Sequence, residues 1–258
     1  MPEGDTVWLA AQRLREALAG RVLTESDLRV PSLATVDLSG QQVLDVTSRG
    51  KHLLMGLSEG RTLHSHFRME GTWHLYRPGD RWQGGPMHTV RAILRTDDRV
   101  AVGYRLGELD LWPSGDVADR LSHLGPDVLG RDWDADEALR RILADPDVPI
   151  VEALRDQRNL AGLGNIYACE ALFLHGVDPF TPVSAVADPA AIVDTARTLI
   201  TRNAPRPSQA TTGDERRPHF VHGRRRRPCH RCGTPVRARE AGPPGRGRWT
   251  YWCPTCQT

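Results

Sequence analysis

Four cysteines set in two close pairs constrain how the end of this chain folds. Cys229-x2-Cys232 is followed, after 20 residues, by Cys253-x2-Cys256. Two such knuckles at this separation match the tetrahedral four-sulfur pattern of a zinc ribbon, a β-hairpin closed on one structural Zn2+. Disulfides and free thiols are the competing readings. Neither a signal peptide nor an apolar run of membrane length is visible, so the setting expected is cytoplasmic and reducing, which favours zinc. His222 and His230 lie nearby, but four cysteines complete a site, and both are read as non-ligands. Cys169 sits in an apolar helical pattern and is expected in the core.

Charge is distributed unevenly. The whole chain carries +2, yet residues 202–258 hold 13 arginines and 3 acids, a balance of +10, and the rest carries −8. A basic tail built around a zinc ribbon reads as a phosphate-binding surface. Its densest part is Arg224-Arg225-Arg226-Arg227, for which a solvated arginine run is the equal alternative.

Among the 34 basic residues there is a single lysine, Lys51. Coding bias accounts for an arginine-rich chain. A lysine that persists in it is either a surface residue by chance or one with a task arginine cannot perform, because an ammonium can give up its proton and a guanidinium cannot. Lys51 lies in Arg49-Gly50-Lys51-His52, at the start of a predicted strand.

The chain opens Met1-Pro2-Glu3-Gly4. Removal of Met1 exposes Pro2 as a secondary amine. An N-terminal amine has a reference pKa of about 7.7–8.0, against about 10.4 for lysine, so a useful fraction is unprotonated near neutrality. Such amines attack carbonyl-like carbons and form Schiff bases, and Glu3 beside it is placed to move protons. Taken alone, the same residues are an ordinary translation start.

The length suits two modest domains. Apolar spacing predicts a helix over 5–19, closed by Gly20. Short β segments follow at 21–30, 41–48, 52–57, 62–67, 90–95, 100–102 and 108–112, the pattern of a sandwich. After Pro113 the pattern becomes helical: 134–144, 150–158, 165–175 and 189–202. Between the second and third helices, Gly162 and Gly164 permit a tight turn and Asn165 can cap the next helix. Backbone N–H groups at such a turn suit a phosphate. The expected fold class is α+β. Its parts are a β-sandwich with a flanking helix at 1–113, a helical region at 114–218 and a zinc module at 219–258.

Four separated motifs, in this order, resemble the formamidopyrimidine-DNA glycosylase / endonuclease VIII family of base-excision repair enzymes: Pro2-Glu3-Gly4; Arg49-Gly50-Lys51; Asp156-Gln157-x3-Ala161-Gly162-x-Gly164-Asn165; and Arg248-x3-Trp252-Cys253-x2-Cys256-Gln257. The resemblance covers essentially the whole chain. It implies a helix–two-turn–helix in the helical region, a zinc-bound hairpin, and damaged DNA between the domains, bound by a monomer with no membrane association. It implies that Pro2 attacks C1′ of the damaged nucleotide and that Glu3 protonates the sugar ring oxygen. Lys51 would contact the lesion phosphate, Arg248 would grip phosphates and assist elimination, and Asn165 would contact the backbone. The base leaves the stack, and a side chain fills the gap. In His64-Ser-His-Phe-Arg68-Met69-Glu70-Gly71, Met69 suits insertion and Arg68 a neighbouring DNA contact, with core packing the alternative for Met69.

Two stretches depart from the purine-type members. Gly103-Tyr104-Arg105-Leu106-Gly107 lacks their Arg–Phe wedge, leaving Arg105 to substitute or Tyr104 to stack. The segment 211–219 is short where they have a long lesion-covering loop. Both departures favour the endonuclease VIII branch and oxidised pyrimidines. The alternatives are an 8-oxopurine/formamidopyrimidine glycosylase and a non-catalytic zinc-containing DNA-binding protein.

Overall fold

The computed structural model describes residues 2–242 and 247–258; Met1, whose removal the Pro2 chemistry requires, lies outside them. Two compact units divide at residues 122 and 123.

The first unit begins with α1 (Gly4–Leu18), whose Val7, Ala11, Leu14 and Leu18 point into the core. Seven strands and a short edge strand follow: β1 (Glu25–Leu28), β2 (Val43–Arg49), β3 (His52–Leu57), β4 (Arg61–His66), β5 (Thr72–Tyr76), β6 (Val90–Arg95), β7 (Val100–Tyr104) and β8 (Glu108–Pro113). They form two four-stranded antiparallel sheets, ordered β1-β6-β7-β5 and β2-β3-β4-β8. Alternation sets the faces: in β3, Leu53, Met55 and Leu57 are buried while the residues between them are half-exposed. The expected sandwich is therefore present. The strand expected over 21–30 shrinks to four paired residues, and β5 was not expected. Every β5 residue is half-buried, so the segment lacks the in–out alternation that announces a strand. A single turn, α2 (Val117–Arg120), ends the unit.

The second unit contains α3 (Ala135–Leu143), α4 (Ile150–Arg155), α5 (Asn165–His175), α6 (Pro189–Asn203) and the hairpin β9 (Arg237–Ala241) with β10 (Arg248–Trp252). Asp134 caps α3 by accepting from the Glu137 amide at 2.9 Å, and Asp188 caps α6 in the same way at Ala191. The central helix is α5. Residues Asn165 to Phe173 are all buried, and Gly176 closes the helix in the left-handed conformation. The cysteine module packs on this helix through Cys169, Phe173, Val221, Val236 and Cys253. Among the described residues, no helix is long and apolar enough to cross a membrane.

Candidate functional site

Glu3 is the residue from which α1 starts. Its carbonyl accepts from the Val7 amide at 3.2 Å, and its side chain is 0% exposed. Pro2, immediately before it, is half-exposed. An amine at this position thus precedes in sequence a residue whose carboxyl group the fold holds out of water.

Lys51 occupies the second position of a two-residue hairpin turn between β2 and β3, with Arg49 paired to His52 across it. Gly50, at φ 57°, takes the left-handed conformation that a tight hairpin demands at its first central residue. The turn places the single lysine, half-buried, at the end of the sheet.

The strand register behind Lys51 assembles a cluster not recognised from sequence. His64 opposes Asp110, His66 opposes Glu108, and His52 opposes His66. His52 Nδ1 lies 2.9 Å from His64 Nε2, and His64 Nδ1 lies 3.3 Å from an Asp110 carboxylate oxygen. The indole of Trp112 stacks on His64, ring centres 3.9 Å apart. Burial lowers the His64 pKa, against the opposing pull of Asp110, and pushes His66 down to about 4. Both rings are neutral near pH 7. His64, Glu108 and Asp110 are close enough to share a metal ion, but Glu108 is already paired to Arg68 and His64 to its two neighbours. Only His64-x-His66 was visible in the sequence; the partners on β3 and β8 depend on register.

Met69 caps the turn between β4 and β5 and is 65% exposed, so core packing is not its role. Phe67 beneath it is buried, and the Gly71 amide donates to the Phe67 carbonyl at 2.8 Å. A Cβ at Gly71 would come within 2.6 Å of that backbone. Arg68 and Arg105 both hold positive φ, 54° and 48°, a strained state for a side-chain-bearing residue. Arg68 pairs with Glu108, and Gly107 leaves room for it, since a Cβ there would lie 2.1 Å from Arg68 Cγ. Arg105 approaches Glu70 at 3.7 Å. Tyr104 is fully buried with its hydroxyl 3.4 Å from that of Tyr76, so it is not free to stack on a base.

In the second unit, α4, the turns over 156–164 and α5 form the helix–two-turn–helix. Gln157 stitches it: its amide donates to the Arg155 and Leu163 carbonyls, and its carbonyl accepts from the Gly162 amide at 3.0 Å. Gly162 is at φ 92°. The expectation that Asn165 caps α5 requires correction. Gly164 is the capping residue and Asn165 the first helical one. Its side chain is committed elsewhere, accepting from Arg155 at 2.9 Å and donating to the Trp249 carbonyl at 2.8 Å.

Arg248 opens β10 with its side chain exposed. Arg225, from the run of four, lies over the Trp249 ring at 4.8 Å, and Arg224 donates to the Phe220 and Pro228 carbonyls. At least these two are structural participants rather than a solvated run. Glu170, wholly buried in α5, accepts from the amides of Phe220, Val221 and His222 at 2.7–2.9 Å and from the Thr211 hydroxyl. The loop between is closed on itself, with the Thr211 amide donating to Pro218 and the Thr212 hydroxyl to Arg217.

The sulfur atoms of Cys229, Cys232, Cys253 and Cys256 lie within 4.8 Å of one another, and those of Cys232 and Cys253 are 3.4 Å apart. Four sulfurs placed about 2.3 Å from a central zinc stand roughly 3.8 Å from each other, so the quartet fits a tetrahedral metal ion. Neither His222 nor His230 belongs to the cluster. Gln257 locks the second knuckle by accepting from the Cys253 amide and donating to the Val177 carbonyl.

The sequence and the fold are similar to those of known proteins. Residues 1–105 match the formamidopyrimidine-DNA glycosylase N-terminal domain, and residues 124–204 match the H2TH domain of the same enzymes. The chain is 56% identical to the probable endonuclease 8 2 of Streptomyces coelicolor, covering all of this chain and 94% of that protein. It is 45% identical to the DNA-(apurinic or apyrimidinic site) lyase Nei2 of Mycolicibacterium smegmatis, covering 100% of this chain and 99% of that one. Its fold superposes on the Lactococcus lactis Fpg in complex with abasic-site DNA with a TM-score of 0.83 at 20% identity, covering 99% of each chain. The chain belongs to the formamidopyrimidine-DNA glycosylase / endonuclease VIII family.

Proposed function

We propose that this protein is a bifunctional DNA glycosylase and AP lyase of base-excision repair, working from an imine on Pro2. The observation that carries this reading is the wholly buried Glu3, the residue directly after the N-terminal amine of a processed chain. Once Met1 is removed, the Pro2 nitrogen attacks C1′ of the damaged nucleotide, the C1′–N bond to the base breaks, and the proton given up by the amine balances the one taken up by the departing base. Glu3 delivers a proton to the ring oxygen as the sugar opens, leaving an iminium at C1′. The iminium acidifies the C2′ proton. Its loss expels the 3′ phosphate, and a second elimination expels the 5′ phosphate. Lys51 and Arg248 neutralise phosphate charge during these steps.

Damaged DNA is the partner, and a monomer acting in the cytoplasm, on the nucleoid, is the expected form. Met69 fills the gap left by the extruded base, flanked by Arg68 and Arg105. The short, self-closed segment 211–219 supports oxidised pyrimidines over 8-oxopurines. One Zn2+ held by Cys229, Cys232, Cys253 and Cys256 would have a structural task, fixing the hairpin that carries Arg248.

Borohydride trapping tests the reading. Protein verified by mass to lack Met1 is mixed with a duplex holding one abasic site and then reduced. A covalent band mapping to Pro2 is expected. Its absence, with DNA binding intact, would leave a binding protein without lyase chemistry. Release of 5-hydroxycytosine against 8-oxoguanine from otherwise identical duplexes sets the lesion class.

A further inference from the structure

Arg155 ends α4, where a last-turn arginine normally reaches into solvent to meet the helix dipole. Here it turns inward and is only 8% exposed. Its guanidinium donates to Asn165 Oδ1 at 2.9 Å, to the Thr250 hydroxyl at 3.1 Å and to the Ala241 carbonyl at 3.4 Å. One side chain thus ties the helix–two-turn–helix to both strands of the zinc hairpin. All three acceptors are neutral. Among the described residues no carboxylate forms an ion pair with Arg155, and a buried cation lacking one is costly. Arginine cannot relieve that cost by losing its proton. Burial lowers its pKa, and the neighbouring Arg248 pushes the same way, against the pull of Cys169 and Glu152.

A cleft of about 650 Å³ beside it is lined by five arginines, Arg155 and Arg248 among them, and by the three acids Asp145, Glu152 and Asp156. Arg140 and Arg141 pair with Glu137, and Arg158 pairs with Asp156. Arg155 and Arg248 are the two lining arginines with no ion pair among the described residues. Asn165 has one amide hydrogen left after its bond to Trp249, and Arg155 polarises that amide through its carbonyl oxygen.

We propose that Arg155 is a positioning residue whose missing counter-ion is a DNA phosphodiester: it sets Asn165 and the Arg248 hairpin as one unit and supplies fixed positive potential beneath the phosphate they receive. This rests on the DNA-repair reading above, because the anion is the backbone of the bound strand.

The test compares the dissociation constant for an abasic-site duplex with the rate of borohydride trapping at saturating DNA. Wild-type protein is the control; if it neither binds nor traps, the repair reading itself fails. In Arg155→Met, an apolar chain of similar length replaces the buried charge. The thermal midpoint is expected to fall, because Met leaves the Asn165, Thr250 and Ala241 acceptors without their donor, with release of the buried charge offsetting part of the loss. Affinity is expected to fall about tenfold or more, the scale of one charge acting through partly buried protein. The trapping rate at saturation is expected to fall less than the affinity, because Arg155 touches no reacting atom and acts through Asn165 and the hairpin. Arg155→Gln makes the same comparison if the Met variant does not fold. Arg155→Lys, which keeps charge but loses the fork, is expected to retain most of the affinity. A folded neutral variant that binds like wild type would overturn the proposal, and so would a lysine variant as weak as the neutral ones.

Discussion

His52 Nδ1 faces His64 Nε2 at 2.9 Å, and the far nitrogen of His64 faces Asp110. One proton fits between the two rings; protonating both would set two N–H donors against each other. His66 touches the same cluster edge-on to His52. Its folded pKa is pushed down to about 4 by burial, and that of His64 is lowered by the same cause. The unfolded chain takes up these protons near pH 6.5. Between about 6.5 and about 4 the unfolded state therefore binds more protons, so stability falls as pH drops through that window and is fully present above it. Thermal midpoints from pH 7.5 to 4.5 should decline, and His66→Asn should flatten the decline. A midpoint independent of pH over this range would remove the histidine cluster from the stability of the first unit.

Replacing Glu3 separates the two activities. Glu3→Gln keeps the size of the side chain but removes the proton transfer proposed for it. Base release from a damaged duplex should fall by about 10²-fold or more, the usual worth of a positioned acid or base. Trapping on a preformed abasic site should survive, since the amine of Pro2 is untouched. Equal loss of both would mean that Glu3 acts through the geometry of the α1 start instead.

Most of the fold was legible because it follows from local pattern. The helices over 135–143 and 189–203 carry their own caps and apolar faces, the helix over 165–175 is an apolar run closed by Gly176, and the cysteine spacing announces its own cluster. What stayed hidden depends on partners distant in sequence. Arg155 reads as a solvent-facing helix end until Thr250 and Ala241 arrive from the hairpin. Asn165 reads as a cap until Arg155 claims its oxygen. Tyr104 reads as a loop residue near a wedge until β7 pairs with both β5 and β6 and buries it. The histidines needed the β3-β4-β8 register to meet.

Met69 and Glu170 should behave oppositely. Met69 is exposed at a turn apex, so Met69→Ala should leave the thermal midpoint within about 1–2 °C, as surface substitutions do. It should nonetheless weaken binding to abasic-site DNA and slow extrusion of a damaged base. A Met69→Ala protein that melts early would show that the side chain supports the turn rather than the DNA.

Glu170 joins α5 to the segment that leads into the cysteine module, and three backbone amides depend on it. Glu170→Ala leaves those buried donors without an acceptor. A buried donor left unsatisfied costs about 1–3 kcal/mol, so the loss should be about 3 kcal/mol or more in total. Because Val221 and Cys229 pack against Phe173 of the same helix, the damage should reach the module: zinc should exchange faster with a chelator, and affinity for DNA should fall with it. Glu170→Gln keeps one acceptor oxygen and should lose less. If Glu170→Ala retains its metal and melts like wild type, the contacts from α5 through Phe173 hold the module by themselves.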